Sequence, residues 1–245
     1  MSLGFIRHFF RQRPELMDRL KPLVRGLGYS GPLHRFLAQH LGQIKSWRAI
    51  QIGAHDGITH DPYRQYLIRP GWSSRVIEPN PQIFPQLCRN YRQYPQVVPL
   101  NFGCSYEARE LSLFAFDAED WPDKYVGNIL STMTSHSRET LIQGLPDVRM
   151  HEHLREMKVP CLTLEEIADQ AGWDQVNALF IDVEGYEDQI LLPCNLERLR
   201  PDMVVFEHHM LPDGGAAICR RLAEYGLTAT KIESDTVCVR EKTAG

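Results

Sequence analysis

The sequence of 245 residues predicts an α/β domain built on a doubly wound, mostly parallel sheet. Three observations predict it. Short apolar runs recur and stop at polar or glycine residues: Arg48–Ile52, Ser74–Glu78, Gln96–Phe102, Ala178–Val183 and Met203–Glu207. Stretches with apolar residues at helical spacing separate them, as parallel crossovers require. The chain then closes on two alternating runs, Leu227–Ile232 and Thr236–Arg240, around Ser234-Asp235. That is the pattern of a hairpin added antiparallel to such a sheet.

Residues 1–45 read as an N-terminal helical extension. Phe9, Phe10, Leu16, Leu20, Leu23 and Val24 recur at roughly helical spacing, Gly26 to Gly31 form a break, and a second helical stretch runs from Leu33 to Ile44, ending near Gly42. Residues 46–245 form the main domain. Asp61–Ile68 is helical and stops at Pro70-Gly71. Pro81–Tyr94 predicts a helix with Asn80 as N-cap and Pro81 at its first position. Arg109–Phe116 alternates and predicts a further strand. The segment 117–157 is polar, acidic and irregular, and a loop that long commonly serves as a lid or substrate platform. Val159–Leu164 is a strand, with Thr163 capping a helix to Ala171. Tyr186–Leu192 begins a helix that stops by Pro193, and Gly215–Tyr225 is a helix with Gly226 at its end.

Composition narrows the function. The chain is 43% hydrophobic with mean hydropathy −0.33, and no run approaches the roughly 18 apolar residues of a membrane span. Arg7 and His8 interrupt the apolar patch at Phe5-Ile6 and Phe9-Phe10, so it does not read as a signal peptide. None of the six cysteines forms Cys-x-x-Cys, and buried free thiols in a reducing cytoplasm are expected. The net charge of −4 is uneven: residues 1–40 hold seven Lys/Arg against Glu15 and Asp18. This reads as a basic helical cap on an acidic core, or as a surface for a peripheral membrane or an anionic carrier. It is too weak to predict a nucleic-acid partner.

Ile50-Gln-Ile-Gly-Ala-His-Asp-Gly57 is a strand that stops at a Gly-x-x-x-Gly loop. Glycines there let the backbone turn tightly and approach a ligand, with helix N-terminal amides nearby. The plain alternative is an ordinary strand-to-helix turn. Glu78 ends the next strand, where a carboxylate can accept hydrogen bonds from both hydroxyls of a ribose. The loop is not Gly-x-Gly-x-x-Gly, which disfavours a nicotinamide dinucleotide, and no Gly-Lys-Ser/Thr follows to cradle a triphosphate. A ribose without a pyrophosphate points to S-adenosylmethionine (SAM).

Phe180-Ile-Asp-Val-Glu-Gly-Tyr-Glu187 places Asp182 at a strand terminus facing the cleft. Glu184 and Glu187 enter the helix, where acids also suit the macrodipole. Glu207-His208-His209 ends another strand. Only one of the two histidines can readily face the site, and an imidazole is a natural general base near neutral pH. Asp182, Glu187, Glu207, His208 and Asp213 are also compatible with a divalent metal, though their spacing is not diagnostic. Ser131 to Ser137 offers hydroxyls and His136 for a polyhydroxylated acceptor, or is a solvated loop.

These motifs, in this order, resemble the FkbM family of SAM-dependent methyltransferases over about Arg48 to Arg240. The resemblance rests on Ile-Gly-Ala-His-Asp-Gly57, Val-Ile-Glu-Pro-Asn80, Asn101-Phe-Gly-Cys-Ser105, Leu-Thr-Leu-Glu166 and Phe-Ile-Asp-Val-Glu-Gly-Tyr-Glu187. It implies a class I, Rossmann-like methyltransferase fold and methyl transfer to hydroxyl oxygens of sugars or polyketide-like products. By resemblance, Gly53, Ala54, His55, Asp56 and Gly57 hold the methionine part of SAM. Glu78 binds the ribose, with Pro79 and Asn80 beside it. Gly103, Cys104 and Ser105 border the adenine, and Asp182 marks the methyl-transfer end. Gln51 stands where many members have Asp, and His55 where many have Asn. His208, Asp182 and His136 are the residues expected to take the acceptor's proton. The competing reading is a methyltransferase fold that binds SAM without turnover, as a sensor or an assembly subunit.

Overall fold

A computed structural model of the protein describes residues 31–59, 61–107, 109–117, 134–144 and 148–240. The expected helices before residue 31 and the start of the Ser131–Ser137 segment lie outside the described residues. The chain divides into two units, one ending at Gly42 and one beginning at Gln43. In the first, helix α1 (Pro32–Leu41) starts on Pro32, ends at Gly42 and buries Leu33, Leu37 and Leu41 along one stripe. Among the described residues no helix is long and apolar enough to cross a membrane.

The second unit is built on seven strands: β1 (Arg48–Ile52), β2 (Ser73–Ile77), β3 (Val97–Leu100), β8 (Ala178–Ile181), β9 (Met203–Glu207), β10 (Leu227–Ile232) and β11 (Asp235–Arg240). Their order across the sheet is β10-β11-β9-β8-β1-β2-β3. β1, β2, β3, β8 and β9 are parallel, while β11 runs antiparallel to both β9 and β10. The doubly wound sheet and its C-terminal hairpin therefore match the sequence pattern. Four strands, β4 (Gly103–Cys104), β5 (Glu110–Phe116), β6 (Thr134–Ser135) and β7 (Leu154–Leu162), form a separate sheet in the order β4-β7-β5-β6.

Helices α2 (Arg64–Leu67), α3 (Phe84–Tyr91), α4 (Arg138–Gly144), α5 (Leu164–Gln170), α6 (Glu187–Leu191), α7 (Leu196–Leu199) and α8 (Ala216–Glu224) complete the fold. One face of the main sheet supplies Ile50, Ile52, Ile77, Leu179, Ile181, Val204 and Phe206 to a core shared with Ile167, Ile190 and Leu222 of the helices. Strand alternation sends Phe180 to the other face, where its ring stacks on Tyr63 at 4.2 Å. Such a sheet, covered on both sides, explains why its strands read as nearly continuous apolar runs.

Several boundaries differ from the sequence reading. The helix expected over Pro81–Tyr94 is confined to Phe84–Tyr91, and Asn80 does not cap it. Instead the Asn80 side chain accepts from Gln82 N–H, and its carbonyl accepts from Ile83 and Phe84 N–H, so residues 80–83 form a turn ahead of the helix. The strand expected from Val159 begins earlier, at Leu154, because its antiparallel pairing with β5 runs the full length from Glu110↔Pro160 to Phe116↔Leu154. Thr163 caps α5 as expected, in a reciprocal capping box with Glu166.

Candidate active site

The register of the sheet assembles the site. Ile52 pairs with both Ile77 and Ile181, Ile77 with Leu100, and Ile181 with Phe206. One residue further on, the row reads Asn101, Glu78, Gly53, Asp182 and Glu207. Asp235, opposite Glu207 on the antiparallel strand, extends it. The strand order reverses between β1 and β8, so Gly53 and Asp182 flank the switch point where open α/β sheets bind their ligands.

Gly53 is required there. Its φ is +79°, and a β-carbon would lie 1.8 Å from the Asp182 carbonyl oxygen. Gly53 and Ala54 both donate to Ile77 O, which folds the loop over the end of β2. His55 follows with φ +49° and donates its backbone N–H to Glu78 Oε2 at 2.9 Å, while Asn80 N–H donates to Oε1 at 2.8 Å. Glu78 is 5% exposed, and burial raises its pKa against the opposing pull of those two amides. Each of its oxygens accepts one bond and retains a lone pair, which fits the two hydroxyls of a ribose. Pro79 and Asn80 are drawn in beside it by the Asn101 amide, which donates to the carbonyls of Glu78 and Pro79.

Other residues expected at the cofactor do internal work. Asp56 accepts from Ile58 N–H and Thr59 N–H on Oδ1 and from the Thr59 hydroxyl on Oδ2. Burial raises its pKa, but His55 and these donors more than offset that and hold it well below the carboxylate range. Gly57 has φ +71° and packs against Tyr91 and Leu87, leaving no room for a β-carbon. Gly103 and Cys104 form β4, and Cys104 is buried in the hydrophobic core. Ser105 is buried, with its hydroxyl 3.3 Å from that of Tyr186.

The acidic half of the row gathers Asp182, Glu184 and Glu207, with carboxylate oxygens within 4.8 Å of one another. Glu184 reaches it from a turn with φ +56°, followed by Gly185 at +96°. Asp182 and Glu184 are exposed, although protein atoms crowd their carboxylates. Loss of hydration, then the charges of Glu184, Asp235 and Asp61, push Asp182 up to about 7. Glu207 is pushed to about 9 by burial and then by Asp182, Glu184, Glu187 and Asp235. Glu187, fully buried in the first turn of α6, rises to about 7, chiefly by burial, despite accepting from Val183 N–H at 3.0 Å. The hydroxyl of Tyr63 lies amid the same carboxylates, and burial followed by Asp235 and Asp182 raises its pKa well above normal.

The two histidines lie beyond the end of β9, where the chain enters a turn. His209 Nδ1 lies 3.1 Å from Glu207 Oε1. His208 points the other way. Its Nδ1 lies 3.0 Å from the Thr236 hydroxyl, its β-carbon faces Gly215, and burial followed by Lys231 lowers its pKa. His208, expected as a candidate base, therefore turns to Thr236, and His209 meets the acidic row at Glu207. The residues that were compatible with a divalent metal on sequence grounds are not all gathered, since Asp213 turns its carboxylate to the amides of Gly215 and Ala217. The His136 ring lies tilted against that of Tyr186, with centroids 4.8 Å apart, and burial lowers its pKa. Sequence reasoning passed over Tyr63 as a site residue and assigned His209 no role of its own. The i, i+2 relation of His209 to Glu207 was the available signal.

The residues present fit SAM: a buried carboxylate with free lone pairs at the ribose position, a glycine turn beside it, and an acidic wall suited to a sulfonium. The sequence pattern described as "Methyltransferase FkbM domain" matches residues 51–227. Among solved structures, the chain is similar to a methyltransferase FkbM from Methylobacillus flagellatus KT, at 10% identity and TM-score 0.46, over 81% of this chain and 45% of that one. It is also similar to Aeropyrum pernix fibrillarin in complex with natively bound SAM, at 14% identity and TM-score 0.41, over 82% and 72%. A third is an RNA methyltransferase from Salinibacter ruber in complex with S-adenosyl-L-homocysteine, at 13% identity and TM-score 0.40, over 88% and 95%. No curated protein matches the chain.

Proposed function

The chain belongs to the FkbM family of SAM-dependent methyltransferases, and from that premise we propose that it methylates a hydroxyl oxygen of a sugar or similar polar small molecule. The carrying observation is the Glu207–His209 pair on the rim of the Asp182 cleft. An alcohol is a weak nucleophile, and a base must take its proton as it attacks. Bound SAM supplies a methyl group on a positively charged sulfur. Glu78 and the Gly53–Gly57 turn fix the cofactor at the switch point. Asp182, one residue beyond the last core pair of β8, holds the acceptor hydroxyl in line. His209 accepts the proton through Nε2, with its other nitrogen held by Glu207. A polar acceptor is supported by the carboxylates around this point, the His209 imidazole and the Tyr63 hydroxyl. The buried free thiols of Cys104, Cys161, Cys194 and Cys238 support a reducing, cytoplasmic setting.

The test is turnover of methyl-labelled SAM with a panel of hydroxyl-rich acceptors, the product read by NMR. An O-methyl resonance is expected. His209→Ala should lower turnover by about 10²–10⁴-fold, the range of a general base, with SAM affinity kept. An N-methyl product, or a variant with full turnover, would remove this mechanism. SAM binding without turnover on any acceptor would leave the non-catalytic reading.

A further inference from the structure

We propose that strand β6 and the residue after it wall the cofactor site, and that the paired rings of His136 and Tyr186 take the purine of SAM. The inference rests on the ribose standing at Glu78, as in the proposed function. The row at the strand ends then sets the direction of the ligand. The sulfonium belongs on the acidic side, past Gly53 at Asp182, because carboxylates stabilise a cation. The base leaves the ribose on the opposite side of Glu78. There Asn101 stands beside Glu78, and the chain runs on through β4 to Ser105.

Three contacts close a ring around that side. The Asn80 amide donates to the Thr134 hydroxyl at 3.2 Å. Beyond Ser135, the His136 ring meets Tyr186 with centroids 4.8 Å apart and planes at 51°. The Tyr186 hydroxyl lies 3.3 Å from that of Ser105. Long-range pairing produces this arrangement. β6 is one edge of the second sheet, paired to Phe114 and Ala115, and the other edge is β4, which leads into Ser105. Both edges of one sheet therefore reach the ligand end of the other. Ser135 is buried, whereas Thr134, His136 and Tyr186 are half-buried and keep surface for a ligand. The His136 ring suits a flat base better than a proton. His209 has Nδ1 held by Glu207, but Nδ1 of His136 is buried without a hydrogen-bond partner, so nothing fixes its tautomer. Burial also keeps it neutral by lowering its pKa. A neutral imidazole beside a phenol is an aromatic surface, and every nucleobase has a face that stacks on one.

The test is calorimetric titration of the full chain with SAM and with methylthioadenosine, which keeps the adenosine and lacks the amino-acid arm and the charge. His136→Ala should weaken both ligands by a similar factor, about fivefold or more, as loss of a base-stacking ring does. His136→Phe keeps a flat ring but carries no proton, and should bind both ligands within about threefold of wild type. Wild-type affinity for both ligands in a folded His136→Ala chain overturns the inference. So does a loss in His136→Phe equal to that in His136→Ala. If thermal melting shows that the alanine variant does not fold, NMR of the wild type with methylthioadenosine decides. Nuclear Overhauser effects from adenine H2 or H8 to histidine and tyrosine ring protons support the wall, and their absence overturns it. Turnover is measured on the same samples. The expected affinities without an O-methyl product refute the proposed reaction alone, whereas an O-methyl product with unchanged affinities in His136→Ala refutes this wall alone.

Discussion

Glu78 shows how a single side chain serves fold and ligand together. Its two oxygens hold the amides of His55 and Asn80, so it fixes the loop after β1, and in the proposed function it also binds the ribose. Glu78→Gln should cost about 1.5–3 kcal/mol of SAM affinity, the range for hydrogen bonds to a charged group, measured by calorimetric titration. Glu78→Ala should in addition lower folding stability, because two buried amides lose their acceptor. A strand-end carboxylate read from sequence gives no hint of that second loss. Asp56 acts on the loop from its other end. Its folded pKa is depressed, so its stabilising contribution is present above the ordinary carboxylate range and is lost as pH falls below it. Wild type should therefore show an acid loss of stability below about pH 4 that is smaller in Asp56→Asn. Denaturant melts across that range check it; identical acid limbs would show that the loop does not depend on the charge.

Among the elements, the β1-to-α2 connection is the least tolerant. Gly53→Ala forces a β-carbon onto the Asp182 carbonyl and holds a left-handed φ that costs about 1–2 kcal/mol by itself. We expect loss of SAM binding together with a lowered melting temperature. A variant with wild-type affinity would mean that β1 and β8 part without consequence for the cofactor. Helix α5 offers a milder contrast. Thr163→Ala removes one half of its capping box and should cost about 1 kcal/mol, read by chemical denaturation, with SAM affinity unchanged. The helix start was legible because a capping box is a local pattern, Thr163 followed three residues later by Glu166. The early start of β7 was not, since Arg155, Glu156 and Lys158 are exposed and charged and the stretch becomes a strand only through pairing with β5.

For the whole molecule, stability resides in a sheet covered on both faces. Phe180 is fully buried against Tyr63 on one face, and Phe206 is fully buried in the core on the other. Phe→Ala at either position should cost about 3–5 kcal/mol, the range for deleting a buried aromatic ring. The two losses should add nearly independently, because the rings pack on opposite faces of the sheet. A double variant, followed by urea unfolding, measures this. Strong non-additivity would show that the two faces communicate through the strands.

The sequence by itself determined the class of fold and the kind of cofactor. Strand period, helix period, the Gly53–Gly57 turn and Glu78 are all written within a few residues of one another, and local sterics and hydrogen bonding enforce them. Tertiary structure alone decided which side chains meet. Only the register of four strands places Glu78, Gly53, Asp182 and Glu207 in one row. Which face of β9 looks into the cleft is set by its neighbours, and that choice brings His209 to the carboxylates and turns His208 to Thr236. The same long-range pairing put β4 to β7 into a sheet of their own. Pairing partners, unlike periodicity, leave no trace in the spacing of a single chain, because they depend on residues far apart in it, as Ala49 with Ala178.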